Sequence, residues 1–232
     1  MHTSNKKIKR IRKDTIEGVI NAPHLRSSNT EAQQAEMAIP SYLNKNPFIR
    51  ALFWRRYDVI YQLANLDLSM SVCEFGCGIG VFLPTLASEV GMLYAVDIFP
   101  QYAREVAEIY DLDIEFSKDL EGIPDHSLDL IVACEVMEHL EDPAVYARLF
   151  SRKLKKGGRL IMSGPTESRL YKLGRILAGY HKYHDYHQHN VFQLHAIITQ
   201  NGFIPLEMTP YPLKIATLYM INLYKVNHQS VK

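Results

Sequence analysis

The chain has 232 residues, of which 47% are hydrophobic and 22% charged, values typical of a globular domain with a sizeable core. Its net charge of +1 gives no electrostatic reason to expect that the molecule as a whole binds nucleic acid or a membrane. Three cysteines without a framework spacing indicate reduced thiols and a cytoplasmic location, and we expect neither a signal peptide nor a transmembrane segment.

The first 40 residues predict a basic N-terminal arm. Six lysines and arginines lie between Lys6 and Lys13, and no helical or strand period persists from Asn21 to Asn29. One interpretation is a solvated, partly disordered tail, and the other is a basic patch for anionic lipid or RNA. We therefore expect an arm over residues 1–40, with peripheral membrane contact as one role for it, and a single domain over residues 41–232.

A helix is predicted over residues 46–65. Asn46 suits the N-cap and Pro47 the first helical position, and apolar residues then recur every three or four positions from Phe48 to Ala64. Aromatic residues at helical spacing are more often core than ligand site, so this helix is either part of the core or a cap over a binding site.

From residue 69 onward, short apolar runs alternate with helical patterns, which predicts an α/β fold with a parallel sheet and right-handed crossovers. Strands are predicted over residues 71–75, 92–96, 114–117, 128–133, 159–163, 203–208 and 213–224. Helices are predicted over residues 82–89, 101–109, 143–155 and 191–201. The sequence Pro210-Tyr211-Pro212 is expected to turn the last strand back beside the one before it.

The first strand runs into a glycine turn with the sequence Glu74-Phe75-Gly76-Cys77-Gly78-Ile79-Gly80. Glycine permits positive φ and close approach of a ligand, and α/β folds place the adenosine part of a cofactor at such a turn. The second strand ends at Asp97, where a carboxylate can accept both hydroxyls of a ribose. Dinucleotide sites space their glycines more widely, and Glu74 would repel a pyrophosphate but suits a cationic amino group. These residues therefore favour S-adenosylmethionine.

In combination with Asp97, the glycine turn and the later segment Leu128 to Leu140 resemble the class I S-adenosylmethionine-dependent methyltransferases, closest to the small-molecule branch with the ubiquinone and menaquinone methyltransferases. The resemblance covers residues 69–203. It implies a Rossmann-like, doubly wound seven-stranded sheet, mostly parallel, with an antiparallel C-terminal hairpin. It also implies a set of cofactor-binding residues: Glu74, Phe75, Gly76, Cys77, Gly78, Gly80, Asp97, Ile98, Asp119, Leu120, Cys134 and Glu135.

Within that set, the resemblance implies that the backbone at Glu74 and Cys134 binds the methionine part of the cofactor and that Asp119 binds the adenine amino group. From the sequence alone, a turn-forming Asp119 before Gly122 is an equal interpretation.

The segment after the fourth strand, Glu135-Val136-Met137-Glu138-His139, has three interpretations. Glu135, Glu138 and His139 fall on one side of a helical turn. His139 can act as general base for a hydroxyl acceptor, since its ordinary pKa suits neutral pH. Alternatively, the three residues bind a metal ion together with a histidine from elsewhere, as in the small-RNA 2′-O-methyltransferases of the same superfamily. The third interpretation is that they only brace the turn.

A long insertion, about residues 164–190, separates the fifth strand from the helix over 191–201. It leaves the carboxyl end of the fifth strand and is expected to fold over the substrate as a lid. His184 and His187 within it are further candidates for the base. Arg169, Lys172 and Arg175 make a basic helical face near this lid, which is either solvated or, with Arg55 and Arg56, binds an acidic head group.

The sequence thus predicts a methyltransferase that acts on a small molecule, most simply by O-methylation of a hydroxyl or carboxyl on a ring, sugar or lipid-like metabolite. No metal is required in this interpretation, and binding of nucleic acid is not expected. The alternatives are a metal-assisted RNA ribose 2′-O-methyltransferase and a non-catalytic cofactor-binding subunit. The acceptor and the oligomeric state do not follow from the sequence.

Overall fold

A seven-stranded sheet forms the centre of the structure, a computed structural model that describes residues 7–25, 37–177 and 187–227. The strands are β1 (Ser71–Phe75), β2 (Met92–Val96), β3 (Glu115–Ser117), β4 (Leu128–Cys134), β5 (Leu154–Pro165), β6 (Phe203–Leu213) and β7 (Ala216–Val226). Their order is β3-β2-β1-β4-β5-β7-β6. Neighbouring strands are parallel from β3 to β5, and β7 is antiparallel to both β5 and β6. The predicted α/β fold with an antiparallel C-terminal hairpin is confirmed.

Helices connect and flank these strands. They are α1 (Lys13–Ile20), α2 (Ile39–Tyr42), α3 (Pro47–Ala64), α4 (Leu83–Ala87), α5 (Gln101–Ile109), α6 (Pro143–Lys153), α7 (Arg169–Leu177) and α8 (Val191–Gln200), with a 3₁₀ turn at Met137–His139. One apolar cluster packs on each face of the sheet, which is why β4 is buried on both faces and is almost continuously apolar.

The hairpin turn lies later than predicted. The segment Pro210-Tyr211-Pro212 belongs to β6, which continues to Leu213, and the chain turns at residues 214–215. Proline is tolerated there because β6 is the edge strand of the sheet and does not need every backbone donor. The pairing register also shifts between Tyr211 and Pro212.

The fifth strand is likewise longer than predicted. It begins at Leu154, directly after α6, rather than at residue 159. The Lys-Lys-Gly-Gly sequence that favoured a helix end over residues 155–158 instead lies in the strand, where Gly157 takes a positive φ of 82° and the β4 register shifts nearby.

Residues 7–25 differ from the expected solvated arm. Ile8, Ile11, Ile16 and Val19 are at most 7% exposed and join the main apolar cluster, and α1 contacts α5. Their burial requires ordered backbone, since the apolar side chains leave water only by packing on the domain. Of the rest of the predicted arm, residues 1–6 and 26–36 lie outside the described residues, and residues 37–40 lead into α2.

The helix predicted over residues 46–65 is α3. Its N-cap forms as expected, with Asn46 Oδ1 accepting from the Phe48 N–H at 2.9 Å. Trp54, Tyr57 and Ile60 are buried against the domain, so much of the aromatic content is core. Across the described residues, the structure contains no helix that is both long and apolar enough to cross a membrane.

Candidate active site

The glycine turn after β1 has the backbone that its sequence predicts. The φ angles of Gly76, Gly78 and Gly80 are 77°, 53° and 80°. A Cβ added at Gly76 would lie 2.5 Å from Cγ2 of Val136, so the turn also packs too closely on the segment after β4 for any side chain there. The Gly76 N–H donates to the Val96 carbonyl at 2.7 Å, which anchors the turn to the end of β2.

Asp97 completes the turn from the end of β2. One carboxylate oxygen accepts from the Gly78 N–H at 2.7 Å and the other from the Phe99 N–H at 2.8 Å. These bonds fix the carboxylate beside the glycine turn. Because a carboxylate oxygen has two lone pairs, each still has capacity for a hydroxyl group. Ile98 next to it is 68% exposed.

Glu74 is the buried carboxyl group at this edge. Its side chain is 4% exposed, and Oε2 has no hydrogen-bond partner among the described residues. Burial, and then the nearby charge of Asp97, raise the pKa of Glu74 to about 8. A buried carboxylate without a partner is unfavourable, so the site is suited to a bound cation that compensates it.

Asp119 and Leu120 follow β3. Asp119 is exposed and accepts from the Glu121 N–H at 2.9 Å, which is the turn-forming arrangement, whereas Leu120 is buried. The hydrogen bond accounts for the aspartate locally, and its contact with adenine stays a prediction.

Glu135 follows β4 with a φ of 54°, and both of its carboxylate oxygens have partners. Oε2 accepts from Arg56 Nη1 at 2.5 Å, and Oε1 accepts from Ser163 Oγ at 2.6 Å. One predicted alternative was a metal site formed by Glu135, Glu138 and His139. Because both oxygens of Glu135 bond other residues, Glu135 does not join Glu138 and His139 in such a site.

Arg56, which the sequence offered with Arg55 as a cation for an acidic head group, is instead buried in the site and paired with Glu135. Its side chain is 2% exposed, and its guanidinium lies 5.0–5.4 Å from the ring centroids of Phe53, Tyr57 and Tyr219. The adjacent Arg55 is exposed. Two consecutive arginines in an aromatic helix were the available signal, but which one turns inward depends on the packing of α3 against β7.

A cluster of donor groups forms where the insertion meets the 3₁₀ turn. Glu138, His139 and His187 each offer one ligand atom within 4.8 Å of the others. The rings of His139 and His187 lie 5.0 Å apart, and the Gln188 N–H donates to the Glu138 carbonyl at 2.8 Å. Of the sequence candidates for the base, His139 and His187 are thus brought together, and His184 lies outside the described residues.

Two acidic groups set the electrostatics of this cluster. Glu138 is 1% exposed, and burial followed by the charge of Glu135 holds its pKa well above the ordinary value. Its Oε2 has no hydrogen-bond partner among the described residues. Glu167 Oε1 lies 2.7 Å from Nδ1 of His187, which orients that ring. The sequence did not single out Glu167.

The thiols at the site are not nucleophiles. Burial raises the pKa of Cys134 to about 12 and holds the pKa of Cys77 well above its usual range. Both stay protonated at neutral pH, and only the thiolate is reactive.

Comparison with known proteins identifies a family that the chain matches. Residues 48–203 match the model of a methyltransferase domain. The chain is 30% identical over 112 residues to a ubiquinone biosynthesis O-methyltransferase of Xanthomonas oryzae pv. oryzae, covering 44% of this chain and 46% of that protein. It is 32% identical over 121 residues to a probable S-adenosylmethionine-dependent methyltransferase of Mycobacterium tuberculosis, covering 51% and 44%. The chain therefore spans about half the length of the curated relatives it matches.

Solved structures share the fold at low identity. The N-methyltransferase NodS from Bradyrhizobium japonicum, in complex with S-adenosyl-L-homocysteine, superposes with a TM-score of 0.64 at 19% identity, covering 84% of this chain and 97% of that one. Magnesium protoporphyrin IX methyltransferase from Synechocystis, also with S-adenosylhomocysteine bound, gives 0.59 at 16% identity, covering 92% and 94%.

Proposed function

The chain belongs to the class I S-adenosylmethionine-dependent methyltransferases, and from that premise we propose that it transfers the methyl group of S-adenosylmethionine to an oxygen of a small-molecule acceptor. The observation that carries the proposal is the pairing of a glycine turn with two carboxyl groups at one edge of the sheet. One buried oxygen of Glu74 has no hydrogen-bond partner in the described part of the chain, and Asp97 is fixed beside the turn by two backbone donors.

The residues around the turn suit the parts of this cofactor. Glu74 receives its cationic amino group, because a cation compensates the buried carboxylate. Asp97 accepts the ribose hydroxyls, with Ile98 alongside, and the backbone from Phe75 to Gly80 lets the adenosine part approach without a Cβ in the way. We assign Asp119 and Leu120 to the adenine, and Cys134 and Glu135 to the methionine part.

Methyl transfer is an in-line displacement. A bond forms between the acceptor oxygen and the methyl carbon as the carbon–sulfur bond breaks, and the electron pair of that bond stays on sulfur as a neutral thioether. The cofactor supplies this chemistry when bound. The chain has to orient the acceptor, exclude water and take up the hydroxyl proton.

His139 and His187 are the proposed proton acceptors. Their rings lie 5.0 Å apart between the turn after β4 and the insertion after β5. Donation of the Nδ1–H of His187 to the Glu167 carboxylate favours the tautomer whose Nε2 accepts a proton. Both histidines lie beyond the carboxyl ends of the strands, the edge at which open α/β sheets bind their ligands, which supports this role.

An acceptor bearing a hydroxyl on a ring, a sugar or a lipid-like group is the favoured class. The relatives named for ubiquinone biosynthesis are O-methyltransferases, which supports oxygen as the methylated atom. Aromatic side chains from α3, α7 and β7 surround the same edge, with Tyr171 and Phe53 both packed on Tyr219 at 5.5 Å and 6.3 Å. Such side chains offer apolar faces to an acceptor.

Titration with S-adenosylhomocysteine tests the cofactor site. We expect Asp97→Ala to raise the dissociation constant by about 10- to 100-fold, a loss of roughly 1.4–2.8 kcal/mol, because two ribose hydroxyls lose their acceptor. Asp113→Ala is the matched control, since Asp113 is an exposed aspartate before β3, and it should bind as the wild type. A dissociation constant for Asp97→Ala within about threefold of the wild type would overturn the assignment.

One observation favours a second candidate, metal-assisted methylation of an RNA ribose 2′-hydroxyl. The three donors of Glu138, His139 and His187 lie close enough for one divalent cation. A cation would also compensate the buried Glu138 oxygen, for which the described residues offer no hydrogen-bond partner. There the ion would lower the pKa of the hydroxyl group. This candidate predicts methyl incorporation into RNA that a chelator abolishes, whereas histidine alone as the base predicts transfer that a chelator leaves unchanged.

A further inference from the structure

Three elements cover the carboxyl edge of the sheet and meet at Tyr219. The Phe53 ring of α3 and the Tyr171 ring of α7 pack on it at centroid distances of 6.3 Å and 5.5 Å. The β6–β7 hairpin reaches the same place, since the Tyr211 hydroxyl donates to the Leu52 carbonyl at 2.6 Å. The outer side of α3, α7 and the hairpin turn is therefore one surface over the mouth of the site, which we call the cap face.

The cap face exposes large apolar side chains that the core does not use. On α7 they recur at positions i, i+3 and i+6, opposite the buried Tyr171, and at the hairpin turn they flank Lys214. Their exposed fractions run from 43% to 94%. They are Phe48, Leu170, Leu173, Ile176, Leu213 and Ile215.

The charge of the cap face is of one sign. The segments 43–57, 168–177 and 209–219 carry eight lysines and arginines and no aspartate or glutamate, so the remaining chain carries 18 basic against 25 acidic residues. Of the eight, Lys45, Arg55, Arg169, Lys172 and Lys214 are exposed and form the charge of the cap face, whereas Arg56 is buried and Arg50 lies on the other flank of α3. A molecule of net charge +1 thus concentrates positive charge around its exposed apolar side chains.

A basic cavity opens on the other flank of α3. It has a volume of about 320 Å³ and is lined by Arg10, Lys13 and Arg50, with Tyr42 and Trp54 on its apolar wall. Arg10 also bonds Asp58 at 3.0 Å, and Lys13 lies 3.3 Å from Glu17. Two of its three cations are therefore already paired with carboxylates.

We infer that the cap face docks on a membrane surface that contains anionic lipid. Aliphatic side chains interleaved with arginine and lysine are the composition of segments that lie in the headgroup region, where the apolar groups enter the boundary and the cations pair with phosphates. Binding of RNA would require cations and stacking faces, but it gives no reason to expose five aliphatic side chains. Docking would direct the mouth of the site at the bilayer, so that an acceptor with a hydrocarbon tail enters directly; this last step rests on the proposed function.

Vesicle sedimentation without S-adenosylmethionine tests the docking separately from methyl transfer. We expect the full chain to sediment with phosphatidylcholine vesicles that contain about one third phosphatidylglycerol, and not with phosphatidylcholine alone, with binding that weakens as salt is added. Lys172→Glu should weaken binding by about tenfold or more, since it replaces an attraction by a repulsion, and Ile215→Ser by about fivefold.

Two exposed residues far from the cap face provide matched controls. Ile109 ends α5 and Lys118 follows β3, at the opposite end of the sheet, and Ile109→Ser and Lys118→Glu should bind vesicles as the wild type. Equal loss in the control and cap-face variants, or no sedimentation with the anionic vesicles at low salt, overturns the inference. Retention on mixed-sequence RNA that Lys172→Glu weakens, or a dimer that Ile215→Ser dissociates, without vesicle binding, would assign the face to RNA or to a second copy instead.

Discussion

At the scale of single residues, the carboxyl group of Glu74 links the stability of the domain to its ligand. It is 4% exposed, and its pKa is raised from 4.5 to about 8 by burial and by Asp97. A group whose pKa is higher in the folded state contributes stability that is complete below its unfolded pKa and is lost as the pH rises through the folded value. Glu74 should therefore destabilise the unliganded protein progressively between about pH 4.5 and pH 8.

This predicts that Glu74→Gln stabilises the unliganded protein at high pH. Glutamine keeps the size of the side chain and stays neutral, so the variant should exceed the wild type in free energy of unfolding by roughly 2–4 kcal/mol at pH 8 and by little at pH 5. Urea unfolding across this pH range measures the difference. The same variant should bind S-adenosylhomocysteine less tightly, since an amide does not compensate the amino group. If the free energies of unfolding of the variant and the wild type differed by the same amount at every pH, the raised pKa assigned to Glu74 would be contradicted.

At the scale of elements, the ion pair between Arg56 and Glu135 joins α3 to the end of β4. The two residues are 79 positions apart, and the guanidinium is buried between three aromatic rings. A buried pair of this kind is weakly stabilising as a whole, but loss of one partner leaves the other charge without compensation. The pair therefore matters mainly for where α3 sits over the site.

We predict that Arg56→Met lowers the free energy of unfolding by about 3–5 kcal/mol. Arg55→Met is the control, because Arg55 is its exposed neighbour on the same helix, and it should change stability by less than about 0.5 kcal/mol. Combining Arg56→Met with Glu135→Gln should recover much of the loss, which a double-mutant cycle in urea detects. Equal effects of Arg55→Met and Arg56→Met would show that the pair does not hold the helix.

The elements also show what a sequence can and cannot predict. Strands β1, β2 and β4 were predicted within a residue of their observed ends because they are short apolar runs bounded by turn residues. The hairpin was misplaced because the prolines of Pro210-Tyr211-Pro212 were interpreted as a turn. An edge strand also tolerates proline, but the sequence does not show that β6 lies at the edge, because strand order is a property of the whole sheet. Helix α1 was missed because Ile16 and Val19 are its only buried residues and charged residues precede and surround them, which leaves too short an apolar pattern to predict a helix.

At the scale of the whole molecule, the sheet order places the ends of β1, β2, β4 and β5 side by side. The sequence could therefore predict that Glu74, Asp97 and Glu135 share one edge, since each lies at or directly after the carboxyl end of a parallel strand. It could not predict that the insertion returns His187 to Glu138, or that Glu135 pairs with Arg56 rather than joining that cluster. Those contacts depend on how long segments fold back over the sheet.

Methyl transfer itself tests the central claim most directly. Purified chain would be incubated with S-adenosylmethionine labelled in its methyl group and an extract of the source organism, with and without chelator, and the products split into organic, small aqueous and RNA fractions. We expect label in the organic or small aqueous fraction, unchanged by chelator and strongly reduced in Asp97→Ala but not in Asp113→Ala. Label in RNA that the chelator removes would favour the metal-assisted candidate, and no label in any fraction despite binding of S-adenosylhomocysteine would contradict the proposed activity.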